Sequence, residues 1–122
     1  MAERRVRGIR GATTAGQNTA RAILEATRAL LLAMQEANGF ALEDVVTVFF
    51  TLTPDLDAAF PAAAARDIGW GSVPLFGAQE AQVPGTPDRC VRVLIQVYTD
   101  REPAAIHHLY LGEAARLRPD LA

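Results

Sequence analysis

Apolar positions along the chain follow two rhythms: a period of two in several short stretches and a helical period in one long one. The cleanest alternation runs from Cys90 to Thr99. Read as a strand, it sets Val91, Val93, Ile95, Val97 and Thr99 on one face, against Cys90, Arg92, Leu94, Gln96 and Tyr98 on the other. A first strand is predicted near the start, with Val6, Gly8, Arg10 and Ala12 on one side and Arg7, Ile9 and Gly11 on the other. Residues 45–52 (VVTVFFTL) are apolar on both faces, which predicts a strand buried on both. Val73 to Phe76 reads as a short third strand and His107 to Leu111 as a final one. The helical rhythm begins after Asn18 or Thr19, either of which suits an N-cap. Ile23, Leu24, Thr27, Leu30, Leu31 and Met34 then form one stripe, and Asn38-Gly39 supplies the stop. Pro61 opens a short helix over Ala62–Asp67, and Pro103 lies near the start of another over Asp100–Ile106. Residues 41–44 read as one short turn of helix, 113–117 as a turn, and 83–88 as a loop.

This order predicts an α+β fold: a mixed β-sheet of about five strands, helices on one face, and a second face that needs cover. The only long helix can cover one side of the 45–52 strand, so a self-associating sheet face and a homo-oligomer are expected. With 122 residues the chain is expected to be a single domain, 1–122, burying about 65% of its unfolded surface.

A net charge of -2 argues against a dedicated nucleic-acid binder. No apolar segment follows the arginine-rich start, and no apolar run is long enough for a membrane span, which predicts a cytoplasmic protein with no membrane partner. One cysteine excludes an internal disulfide. All 12 basic residues are arginine, which removes Schiff-base chemistry and the P-loop lysine. There is no HExxH, CxxC or acidic calcium loop, so no metal site is predicted. His107 and His108 would face opposite ways on a strand, one buried and one exposed. Cys90 has no evident activating base and reads as a structural thiol.

Arg92 is the anomaly. A guanidinium inside a strand of this kind needs a partner, because it cannot lose its proton and is costly to bury unpaired. Either it pairs with an internal carboxylate or snorkels at an edge, or it floors an anion-binding pocket. Gly8 and Gly11 flank Arg10, either keeping the space around that side chain open or marking a loose strand end. Arginines on or near strands, with no nucleophile in sight, suggest a polyanionic small molecule held by charge-assisted hydrogen bonds. Such a site would act by positioning and electrostatics.

Several stretches then resemble, in order and spacing, the AroH class of chorismate mutases. They are Arg7 to Thr14, Thr53-Pro54-Asp55-Leu56 with Ala59 to Ala62, Gln79-Glu80, Cys90 to Val93, His108 to Leu111, and Leu117 to Leu121. The resemblance implies the rearrangement of chorismate to prephenate, on the route to phenylalanine and tyrosine, without a cofactor. It implies a chorismate-mutase-II-like fold, a pseudo-α/β barrel homotrimer with its sites between subunits. It assigns Arg92 to the breaking ether oxygen, Glu80 to the ring hydroxyl, and Arg10 and Tyr110 to carboxylates. Phe60 as an apolar wall and Arg66 as a rim cation would come from the neighbouring subunit. Phe76, Gly77 and Leu117 would line the substrate, and Arg118 would close the mouth. Two positions depart from the type member: Ala63 stands where it has lysine, and Gly77 where it has a cysteine that serves through its backbone N–H. The rival reading is a trimeric module that binds a small carboxylate without turning it over; an imine deaminase of the RidA kind shares the trimeric plan but none of these motifs.

Overall fold

A computed structural model describes residues 3–120, so Leu121 of the last matching stretch lies outside the described residues. Five strands form one sheet: β1 (Arg5–Thr14), β2 (Val45–Leu52), β3 (Leu75–Gln79), β4 (Cys90–Thr99) and β5 (Leu109–Tyr110). Their spatial order is β3-β2-β4-β1-β5. The alternating stretch β4 is the central strand, antiparallel to both β1 and β2, while the short edges β3 and β5 run parallel to their neighbours. The parallel step from β2 to β3 needs a crossover, which α2 (Ala62–Asp67) supplies.

The long helix α1 (Ala20–Asn38) starts where the Thr19 side chain accepts from the Ala22 N–H and stops where Gly39 turns left-handed at φ 64°. Its predicted stripe is buried at Ile23, Thr27, Leu30, Leu31 and Met34; Leu24 stays at the margin. The stripe packs on the sheet face made by Ile9, Val48, Phe50, Val91, Val93, Ile95 and Val97. α1 can come this close because position 11 has no side chain: a Cβ there would collide with the Met34 Sδ and lie 2.8 Å from its Cε. Gly11 therefore serves helix packing and faces away from Arg10; of the two glycines, only Gly8 shares Arg10's face.

Several boundaries differ from expectation. β3 begins at Leu75 and continues through Gly77-Ala78-Gln79, because its ladder with β2 depends on backbone groups and not on apolar side chains. Pro74 has no N–H for a ladder, though its carbonyl accepts from Val48, and Val73 turns into the core. The segment 100–106 holds only a 3₁₀ turn, Pro103–Ala105. The last strand shrinks to two residues and is followed by a second 3₁₀ turn, Gly112–Leu117.

β2 is not buried on both faces within the chain. Val45, Val48 and Phe50 are buried, whereas Val46 and Phe49 are exposed on the side away from the helices. Val6, Phe76, Leu94 and Tyr98 are exposed on the sheet as well. Both helices lie on one face, as expected; the other is bare except where the Gly112–Leu117 turn crosses it.

Candidate active site

Strand register lines up the candidate residues on the bare face. Tyr110 of β5 pairs with Ala12 of β1, Ala12 with Arg92 of β4, and Arg92 with Thr51 of β2. Residues paired in this way project from the same face, so these four form a row across the sheet. Arg10 is two residues from Ala12, diagonal to Arg92 at about 7–8 Å. The Gly112–Leu117 turn closes one end of the row, packing Ala114 on Ala12 and Cys90 with Tyr110 and Leu117 alongside.

Arg92 has its internal carboxylate. Its Nε lies 3.2 Å from Oε2 of Glu80, which follows β3, and the two side chains are 42% and 22% exposed. The pairing is electrostatic only: Nε is buried and donates no hydrogen bond. Glu80 is held from elsewhere, Oε2 accepting from the Thr51 hydroxyl at 2.7 Å and Oε1 from the Ala81 N–H at 3.2 Å. The expected internal carboxylate is thus present, and the Arg92 side chain remains partly exposed on the bare face.

The remaining site residues fall into two groups. Arg118 follows the 3₁₀ turn and is paired with Asp120 through Nε at 3.0 Å and Nη2 at 2.7 Å. The Arg118 hydrogen bond holds Asp120 below the usual carboxylate range, and the charge of Arg10 acts in the same direction. Phe60, Arg66 and Gly77 line a largely apolar cleft of about 690 Å³ beside β3 together with Leu52, Pro61 and Ala78; Arg10, Arg92 and Tyr110 are not part of its lining. Phe60 is 78% exposed there. Phe76 is exposed on the bare face and meets Phe49 edge-on, with ring centroids 6.1 Å apart. Within one chain the arginines of the bare face and the pair Phe60 and Arg66 thus belong to different surfaces.

The partners of the supporting polar residues are not predicted by the sequence, although Thr53, Asp55, Cys90 and His108 lie in the stretches that carry the resemblance. Asn18 anchors the loop before α2: its Oδ1 accepts from the Asp57 and Ala58 N–H groups and its Nδ2 donates to Asp57. Asp55 fixes the entry to β4, accepting from the Arg89 N–H at 2.9 Å, while the Thr53 hydroxyl accepts from the Cys90 N–H at 2.9 Å. Arg89 needs that anchorage, since its φ of 48° is left-handed and unusual for a side-chain-bearing residue. Burial pushes Asp55 upward, but hydrogen bonds from Thr53 and Arg89 prevail and hold it below the usual range. His107 is exposed, while half-buried His108 accepts from the Arg10 N–H at Nδ1. Burial pushes the Cys90 thiol up, which suits an inert structural cysteine. Asn18, Thr53 and Asp55 are ordinary polar residues in connecting segments, and only their distant partners give them a role.

Three guanidiniums near a tethered carboxylate and a tyrosine, with no activated nucleophile among the described residues, give a cationic surface of the kind that suits a small polyanion. The comparisons with known proteins make that reading specific. The chain belongs to the family described as chorismate mutase type I, whose sequence model matches residues 6–121. That description replaces the type II label attached to the expected fold; the α+β architecture stands. A protein named chorismate mutase AroH from Thermus thermophilus is 54% identical over 117 residues, covering 95% of this chain and 96% of its own. One of the same name from Bacillus subtilis is 45% identical over 118 residues, covering 96% and 93%. The solved structure of a chorismate mutase from Clostridium thermocellum superimposes with a TM-score of 0.88 at 46% identity, covering 90% of this chain and 98% of that one.

Proposed function

We propose that this chain rearranges chorismate to prephenate, in sites shared between neighbouring subunits of a cytoplasmic homotrimer, on the route to phenylalanine and tyrosine. Family membership supports the reaction. The observation that carries the shared site is the separation of the two half-sites: Arg92, Glu80, Arg10 and Tyr110 on the bare face, Phe60 and Arg66 in the cleft beside β3. Two different surfaces that complete each other between copies make a head-to-tail interface, which forms a ring when its rotation closes, as in a trimer. The exposed Val6, Phe49, Phe76 and Leu94 supply apolar area for that contact. A single domain over 1–122 accords with one continuous sheet and a family match over 6–121.

The rearrangement is unimolecular, so the site needs neither base nor nucleophile. It has to hold chorismate in a compact conformer and place positive charge where negative charge grows. In this reading the Nη groups of Arg92 serve the ether oxygen, and Glu80, aimed by Thr51, accepts from the ring hydroxyl. Arg10 and Tyr110 take carboxylates, with Leu117 and Phe76 as apolar lining. Phe60 walls the substrate from the next subunit, Arg66 rims the cleft in place of a lysine at Ala63, and the Gly77 N–H faces the ligand. Arg118 closes the mouth by exchanging Asp120 for a substrate carboxylate.

The test is the ultraviolet loss of chorismate with prephenate as product, on protein whose mass is read by light scattering. Turnover by a trimer is the expected result. A trimer that binds chorismate but leaves it unchanged would instead establish the non-catalytic binding module.

A further inference from the structure

On the outer side of β1, the edge strand β5 supplies only two ladder partners, Leu109 opposite Gly11 and Tyr110 opposite Ala12, followed by a Leu111 N–H bond to the Ala12 carbonyl at 2.9 Å. One step upstream, the Arg10 N–H donates to Nδ1 of His108 at 2.9 Å, where a longer strand would offer a carbonyl. The residue before it is clamped from the end of α1. Buried Asn38 accepts from the His107 N–H at 2.8 Å and donates to the His107 carbonyl at 2.9 Å. The strand that carries Tyr110 is thus secured by two side chains at its start and very little ladder.

We propose that His108 is a positioning residue of the substrate site: its neutral ring, accepting at Nδ1, docks β5 on β1 and keeps Arg10 and Tyr110 in register beside Arg92. Only an unprotonated nitrogen can accept, so the ring proton belongs on Nε2. The charged and titratable groups bearing on the ring are Arg10 on β1, Arg118 beyond the last 3₁₀ turn and the neighbouring His107; Asp120 is engaged by Arg118. Burial first, then the charges of Arg10, Arg118 and His107, hold His108 below its ordinary value. Acidification puts a proton on the accepting nitrogen, removes the bond to Arg10, and adds a third cation to the pair meant for substrate. The sign follows: the clamp is intact at neutral pH and is lost as pH falls below about 6.5 and through the depressed value.

The inference rests on the chorismate mutase reading, and its test separates the two. kcat/KM for chorismate is measured between about pH 5 and about pH 8 on the wild type, His108→Asn and His108→Ala. Asparagine carries an acceptor oxygen on Cγ, as histidine carries Nδ1, and it does not titrate. His108→Asn should keep at least about a third of wild-type kcat/KM at neutral pH and lose the acid limb that the wild type shows. His108→Ala should lose about tenfold at neutral pH, mostly through KM, and converge on the wild type in acid, where the wild type has lost the same bond. An acid limb that persists in His108→Asn belongs to another group and would overturn the proposal, as would equal activity of the two variants at neutral pH. If His108→Ala does not fold, the His108→Asn profile decides alone. Should the wild type fail to convert chorismate, the function falls and the clamp is judged by ¹⁵N spectroscopy of the imidazole: the Nε2–H tautomer supports it, and the Nδ1–H tautomer refutes it.

Discussion

The Nε of Arg92 stands 3.2 Å from Oε2 of Glu80 and yet donates no hydrogen bond to it. A guanidinium held by charge alone keeps its donors for another acceptor, while Glu80 stays tethered to Thr51. In the proposed site the pair would meet a growing negative charge on one side and a hydroxyl on the other. Arg92→Ala should lower kcat for chorismate at least about a hundredfold, the typical loss of one preorganised donor of about 3 kcal/mol. Arg92→Lys should recover little, because lysine has the charge without the planar fork. Steady-state kinetics decide this, and near-wild-type turnover in Arg92→Ala would sink the mechanism.

Thr51 holds Glu80 through a single hydroxyl bond of 2.7 Å. Thr51→Val keeps the shape and removes the bond, so kcat/KM should fall about three- to tenfold with little change in folding. Wild-type kinetics in this variant would show that Glu80 does not need its tether.

A site shared between subunits, as proposed, predicts complementation. Arg92→Ala and Arg66→Glu should each be impaired alone, the second because a carboxylate at the rim repels a dianion. Unfolded together and reassembled, random rings should contain about a quarter of sites with both halves intact, and activity should rise to match. Mixtures no more active than their parents would place Arg66 and Arg92 in the same subunit's site, or Arg66 outside it.

Arg118 is paired with Asp120, and the proposed mouth requires it to exchange that partner for a ligand carboxylate. Arg118→Ala should raise KM with kcat nearly unchanged, because a rim contact serves ground and transition states alike. Asp120→Asn should act in the opposite direction, lowering KM about two- to threefold, the scale of an exposed ion pair. A rise in KM for Asp120→Asn would mean that the pair orders the tail in its productive form.

Asp55 bears on stability. Its folded value lies below the usual carboxylate range, so its contribution is present above the unfolded value near 3.9 and is lost as pH falls through the folded one. Asp55→Asn should therefore cost about 0.5–1 kcal/mol at neutral pH, discounted for solvent screening at an exposed turn. Thermal melts of the two proteins should converge below about pH 3.9. A gap that stays constant into acid would assign the loss to packing.

Local patterning was enough for the elements that bury apolar side chains. β4, α1 with its caps at Thr19 and Gly39, and α2 behind Pro61 are all legible, because alternation, helical spacing and cap chemistry are properties of adjacent residues. Arg92 announced itself in the same way, as a charge where a core strand should have none. The elements read with wrong limits are those made by long-range backbone pairing: β3 extends over Gly77-Ala78-Gln79 because β2 runs beside it, and β5 is two residues long because Asn38 and His108 replace its ladder.

The sequence by itself determined an α+β sheet with one covered face, an arginine chemistry without a nucleophile, and through its resemblance the family. Only the tertiary structure decided which residues share a row, that Gly11 admits Met34 while Gly8 lies beside Arg10, and that Phe60 and Arg66 line a cleft of which Arg92 is not part. The reason is physical. Burial preference is written residue by residue, whereas a site is a set of distances between side chains from remote positions, and those distances exist only once strand register is set.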